Sequence, residues 1–113
     1  MFELGDDGYP TEETLTEIRD WDCIARGNRE LLDAIKPIWN YADFGFWHTE
    51  DAKDILDSDV VHYHISTGGW SGNEDIIYAL KKNWLFWGMS WLQSRRGGHY
   101  IFEFKVKNEE RFE

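Results

Sequence analysis

Ser66-Thr67-Gly68-Gly69-Trp70-Ser71-Gly72-Asn73-Glu74 decides how this chain is read. It sets three glycines between a β-branched, aromatic run and a long apolar pattern of helical spacing. The preceding run, Asp59-Val60-Val61-His62-Tyr63-His64-Ile65-Ser66, has the composition of a strand bounded by turn residues. After the glycines, Asn73 or Ser71 is placed to cap a helix, and Ser71 with Glu74 has the spacing of a capping box. Ile76, Ile77, Leu80, Trp84, Leu85, Trp87, Met89, Trp91 and Leu92 follow, predicting one helix over about 73–94. Its second half is apolar nearly all round, the mark of a central buried helix. Gly88 costs about 1 kcal/mol inside a helix and predicts the close approach of a neighbouring element. Arg95-Arg96-Gly97-Gly98 closes the helix, and His99-Tyr100-Ile101-Phe102-Glu103-Phe104-Lys105-Val106 reads as a second strand. If strands 59–66 and 99–106 are parallel neighbours, the connection between them is a right-handed crossover.

Working outward, Thr11 is a good N-cap with Glu12 and Glu13 in the first turn, and Leu15 and Ile18 follow at helical spacing, predicting a helix over 12–21. Asn28 is placed to cap a second helix carrying Leu31, Leu32, Ile35, Ile38 and Trp39. Pro37 removes a backbone donor and should kink or end that helix near Lys36. The aromatic stretch 41–48 contains a candidate third strand over 44–49, and residues 50–58 carry only a weak helical or loop signal. The predicted fold class is therefore α+β. Two N-terminal helices precede a small sheet (59–66, 99–106 and the candidate 44–49) packed on one long helix, 73–94. The prediction is one domain over 1–113, with an irregular lead at 1–10 and a frayed acidic tail at 108–113.

The chain has 113 residues with seven Trp, seven Phe and five Tyr, so a small core can be filled by few side chains. Its charge is uneven. Residues 1–59 carry 16 acidic and 5 basic side chains, a net of −11, whereas residues 60–108 carry 3 and 6, a net of +3. The overall net of −10 repels phosphate backbones, arguing against direct nucleic-acid binding and for a basic protein partner. The bland account of the same charge is a solvated surface that keeps a Trp-rich chain soluble. Cys23 is the only cysteine, no apolar run reaches bilayer length, and the acidic N-terminus lacks the pattern of a signal peptide. The expectation is a cytoplasmic protein with no membrane contact.

Thr67-Gly68-Gly69-Trp70-Ser71-Gly72-Asn73-Glu74-Asp75, then Phe86-Trp87 and Arg96-Gly97-Gly98-His99-Tyr100-Ile101-Phe102, resembles a family of small uncharacterised proteins of bacteriophages and bacterial genomes. Gly8-Tyr9-Pro10-Thr11-Glu12-Glu13 is similar to that family's usual beginning. The resemblance covers residues 66–104 well and 8–45 loosely. It implies a phage or mobile-element origin and, for a phage-encoded chain, the cytoplasm of a bacterial host. By analogy with small acidic phage proteins, it brings to mind an inhibitor of a host-defence complex. It transfers no catalytic residue.

Three constellations are candidate sites. A glycine-rich turn between strand and helix can present backbone N–H groups to an anion. Thr67, Gly68, Gly69, Ser71, Gly72 and Asn73, with Arg95, Arg96 and His99, form that candidate ligand site, although no nucleotide-binding fingerprint is present. The plain alternative is a tight turn with Trp70 tucked into the core. Gly69-Trp70-Ser71-Gly72-Asn73 falls one glycine short of a nucleophile elbow, so no catalytic residue is assigned. His62 and His64 share one face of a strand, and His99 begins the other strand. Zinc is one account of these three, and hydrogen bonding to acidic neighbours is the other. No metal or cofactor is expected. The third constellation is the acidic half, Glu12, Glu13, Glu17 and Asp20 with Asp51, Asp54 and Asp57, whose aromatic neighbours Tyr41, Phe44 and Trp47 are candidate partner anchors. The leading expectation is a small acidic binding protein that engages a basic host partner, a nucleic-acid-binding protein of host defence being one such partner. The alternative is an anion- or nucleotide-binding protein or small enzyme centred on 67–73.

Overall fold

The computed structural model describes residues 2–106. Thr11 caps the first helix as expected: its hydroxyl accepts from the Thr14 N–H, and α1 runs Glu12–Asp20. A single turn follows, α2, Cys23–Arg26, capped by the Asp22 carboxylate. Helix α3 runs Asn28–Ile35, and its cap position is Gly27, not Asn28. The Asn28 amide instead donates to the Ser90 hydroxyl at 2.7 Å. Pro37 acts as predicted. The α-helix ends at Ile35, and a 3-10 turn spans Lys36–Ile38. Residues 2–10 form an irregular lead with one isolated bridge between Leu4 and Pro10.

The sheet has four antiparallel strands: β1 (Trp47–Lys53), β2 (Asp59–Ser66), β3 (Trp91–Arg95) and β4 (His99–Lys105), in spatial order β1-β2-β4-β3. The fold class is α+β, as expected, but three details of the expectation change. The first strand starts at Trp47 rather than 44 and runs through 50–53, where a helix or loop was expected. It then turns back on β2 through a hairpin at 54–58. Strands β2 and β4 are neighbours but antiparallel, so no parallel crossover joins them. The reason is the extra strand β3, which forms a hairpin with β4 through Arg96, Gly97 and Gly98. The acidic tail 108–113 lies outside the described residues.

The third change is the long helix. It is two helices, α4 (Ser71–Lys82) and α5 (Trp84–Ser90), followed by β3 where a last helical turn was expected. Asn83 makes the break. Its backbone leaves helical geometry at ψ 86°, and its side-chain oxygen accepts from the Phe86 N–H, capping α5. Its amide donates to the carbonyls of Ile18 and Trp21 at 3.0 and 3.1 Å, tying the end of α1 to the break. Helix α4 begins at Ser71 with Trp70 at the cap position and no side-chain cap, so neither Ser71 nor Asn73 plays the capping role expected of it.

The helices cover one sheet face. Trp47 from β1, Val61, Tyr63 and Ile65 from β2, and Phe102 and Phe104 from β4 join Ile18, Leu31, Leu32, Ile35, Ile76, Leu80 and Phe86 in one buried cluster. The expectation that the region around α5 is buried all round is overturned. Phe86 is buried, but Trp84 is 85% exposed and Leu85, Met89, Trp91 and Leu92 are exposed as well. Among the described residues, nothing stands within 4 Å of where a Gly88 side chain would begin, so none of their elements makes the approach that glycine suggested.

Replacing Asn83 with Ala should destabilise the protein by roughly 1–3 kcal/mol, because it removes the cap on the buried Phe86 N–H and the hydrogen bonds to the Ile18 and Trp21 carbonyls. Trp84→Ala should cost less than about 0.5 kcal/mol, the usual range for an exposed side chain. Urea denaturation of the two variants checks both. A large loss for Trp84→Ala would contradict its exposure.

Candidate functional site

The glycine turn is held by its own groups. Thr67 is buried; its N–H donates to the Gly98 carbonyl and its carbonyl accepts from the Trp70 N–H. Gly68 has φ +62°, and a β-carbon there would stand 2.1 Å from the Phe46 ring. Asn73 is fully buried, accepting from the Asn40 N–H and donating to the carbonyls of Asn40 and Thr67. Ser71 donates to the Tyr9 hydroxyl, and the Tyr9 ring lies 5.2 Å from that of Trp70. Gly69 belongs to the same turn, and Gly72 lies in the first turn of α4. At Gly72 a β-carbon would collide with the Trp70 ring. Arg95 bonds its neighbour Gln93, and Arg96 is exposed in the β3–β4 turn. Thr67 and Asn73 are therefore braces of a turn. His99, expected to join them, sits in a different constellation on the sheet.

The acidic and aromatic candidates separate into three places. Glu12, Glu13, Glu17 and Asp20 are exposed on α1, where Asp20 is paired with Arg19, whose guanidinium hydrogen bonds hold its carboxyl below the usual carboxylate range. Tyr41 and Phe44 are exposed near the start of β1, their rings 6.0 Å apart. Trp47 is not an anchor. It is 6% exposed and packs edge-on against Trp39 and Tyr63, because the first residue of β1 faces the helices. Asp51 and Asp57 are exposed at the β1–β2 hairpin, whereas Asp54 organises its turn. The Asp54 carboxylate accepts from the N–H groups of Leu56 and Ser58, both at 2.9 Å. Between these acids, Ile55 is 98% and Leu56 80% exposed.

The densest chemistry lies on the sheet face opposite the helices. Register places His48 opposite His64, Glu50 opposite His62, His62 opposite Glu103, and Ser66 opposite His99, so all four histidines of the chain share one face over three strands. His64 is the hub. Its ring stacks on that of His48 with centroids 4.5 Å apart. Its Nε2 lies 2.9 Å from the Glu50 carboxylate, and its Nδ1 lies 3.4 Å from His99 Nε2. The Ser66 hydroxyl closes the chain at 2.6 Å from His99 Nδ1. His62 pairs separately with Glu103 at 2.9 Å. Burial, then the neighbouring His64, Arg95 and His48, pushes the His99 pKa down, favouring neutral imidazole.

His62, His64 and His99 thus converge on one face; His62 and His64 have the carboxylate partners that the plain reading expects, whereas His99 bonds Ser66 and His64. His48, Glu50 and Ser66 were missed. Their signal was present in His48-Thr49-Glu50, an alternation matching His62-Tyr63-His64, but using it required extending the first strand to Lys53. Comparison of the chain with protein-family models, with curated proteins and with solved structures returned no match. Among the described residues, no helix is long and apolar enough to cross a membrane.

If the glycine turn is a brace, Asn73→Ala should lower stability by roughly 2–3 kcal/mol through the buried groups it orphans. Ser71→Ala, at an exposed position, should change stability by less than about 1 kcal/mol. Thermal melts of both variants provide the check.

Proposed function

We propose that this chain is a protein-binding domain that engages a basic partner through the β1–β2 hairpin. The observation that carries the reading is the exposed pair Ile55 and Leu56 at the tip of the hairpin, set among Asp51, Asp54 and Asp57. Side chains this apolar gain nothing from water. Burying one completely is worth about 1.5–3 kcal/mol, so the tip is suited to a pocket on another surface. The turn beneath it is ordered: Asp54 N–H donates to the Ser58 carbonyl, Asp57 N–H donates to the Asp54 carbonyl, and Asp57 takes φ +61°. An ordered tip loses little conformational freedom on docking. The surrounding carboxylates supply the charge complementarity, which speeds encounter more than it deepens affinity.

The resemblance to small phage and bacterial proteins supports a mobile-element setting and a bacterial cytoplasmic host. On that reading, a nucleic-acid-binding host-defence protein is one fitting partner. The ligand-site alternative at residues 67–73 has less support, because Thr67 and Asn73 are spent on internal hydrogen bonds.

A photo-crosslinking residue placed at Leu56 should capture a basic protein from a bacterial host lysate. Capture should fall when Asp51 and Asp57 are changed to Asn. It should also fall when salt is raised to about 1 M, where charges are screened beyond about 3 Å. Equal capture from a crosslinker at Glu12, with no effect of salt or of the Asn changes, would contradict the assignment to the hairpin.

A further inference from the structure

Hydrogen bonding to carboxylates accounts for His62, through Glu103, and for one nitrogen of His64, through Glu50. It leaves His48 and His99 without a reason to crowd the same ring. His48 stands directly across from His64, and Glu50 reaches diagonally past its own register partner, His62, to bond His64 instead. One donor atom from each of His48, Glu50 and His64 lies within 4.8 Å of the others. We propose that His48, Glu50 and His64 form a binding site for a divalent transition-metal ion of zinc's class, with His99 and Ser66 orienting His64.

Two imidazoles and one carboxylate are a donor set that zinc accepts, and with three protein ligands the ion keeps a position for water. Bonds of about 2.0–2.2 Å in tetrahedral geometry set donors about 3.3 Å apart. The donors lie no more than 4.8 Å apart, so closing takes a contraction of at most about 1.5 Å. Side-chain rotation supplies it, since His48 and Glu50 are both exposed and the backbone between them and His64 is fixed by the ladder. The hydrogen-bond chain also suits ligation. With neutral imidazoles, the Glu50 carboxylate accepts from His64 Nε2–H. Nδ1 then accepts from His99 Nε2–H, and His99 Nδ1 accepts from the Ser66 hydroxyl. A metal on His64 Nε2 requires the opposite sense: His64 Nδ1–H donates to His99 Nε2, and His99 Nδ1–H donates to the Ser66 oxygen. The proton count of the two rings is unchanged. An outer partner on the second nitrogen of a ligating histidine is the usual way its orientation is fixed.

The test is titration of the untagged full chain with Zn²⁺ against a chromophoric chelator, and with Co²⁺ followed by its visible ligand-field bands. The expected result is one ion per chain and a rise in melting temperature on binding, with the metal-free protein still folded. His48→Gln and Glu50→Gln, both at exposed positions, should each weaken binding at least about 10-fold while leaving circular dichroism unchanged, and Ser66→Ala should weaken it by about 10-fold through His99. His62→Gln should leave the affinity within about 3-fold. Failure to bind either metal, binding indifferent to His48→Gln and Glu50→Gln, or equal loss from His62→Gln would each overturn the site.

Discussion

The side-chain amide of Asn83 is the constraint on which the rest of the structure depends. It lies buried where one helix stops and another begins, with every polar atom engaged: the oxygen caps α5, and the nitrogen holds the carbonyls of Ile18 in α1 and of Trp21 just beyond it. A buried amide left without partners costs on the order of 1–3 kcal/mol per orphaned group, so this junction tolerates few alternatives. Because α4 ends there, α5 is only seven residues long, and the chain enters β3 at Trp91. The β3–β4 hairpin then lays β4 between β3 and β2, and that register brings His99 opposite Ser66. A helix continuing to residue 94 would leave no β3 and no hairpin to place β4.

Local signals were read correctly where the physics is local. Thr11 caps its helix, Pro37 ends one, and strands β2 and β4 were visible from their β-branched and aromatic composition. The misreadings share one cause: the deciding partners are distant in sequence. Asn83 resembles any polar residue in an apolar helix until Ile18 and Trp21 come within reach of it. Trp84 to Leu92 satisfied a helical apolar pattern, but only Phe86 and Trp87 turn toward the sheet, where Trp87 meets Tyr100 and Phe102. Trp47 was read as an exposed anchor because the stretch around it is aromatic. Its position as first residue of β1, facing the helices, depends on register with Ile65. The histidines were visible as residue types and invisible as a cluster, because His48 reaches His64 only through a hairpin whose turn was unassigned.

The two faces of the sheet divide the molecule's work. One face is closed by helices and filled with aromatic and branched side chains. The other carries His48, Glu50, His62, His64, Ser66, His99 and Glu103, with Val60 and Ile101 buried among the strands but apart from the main core cluster. The protein-binding reading and the metal reading do not compete for the same groups: the first rests on the hairpin tip at 54–58, the second on the middle and far end of the ladder. Strand β1 connects them, since it carries His48 and Glu50 at one end and leads into the acidic tip at the other.

Proton–proton nuclear Overhauser contacts among the four imidazoles of the metal-free protein test this architecture most directly, since they report the β1–β2 and β2–β4 registers and the assembly of the histidine face at once. The account predicts contacts between the rings of His48 and His64, whose centroids are 4.5 Å apart, and between His64 and His99, at 5.6 Å. A spectrum with no His64–His99 contact, and with helical chemical shifts continuing from Trp84 through Ser94, would contradict it.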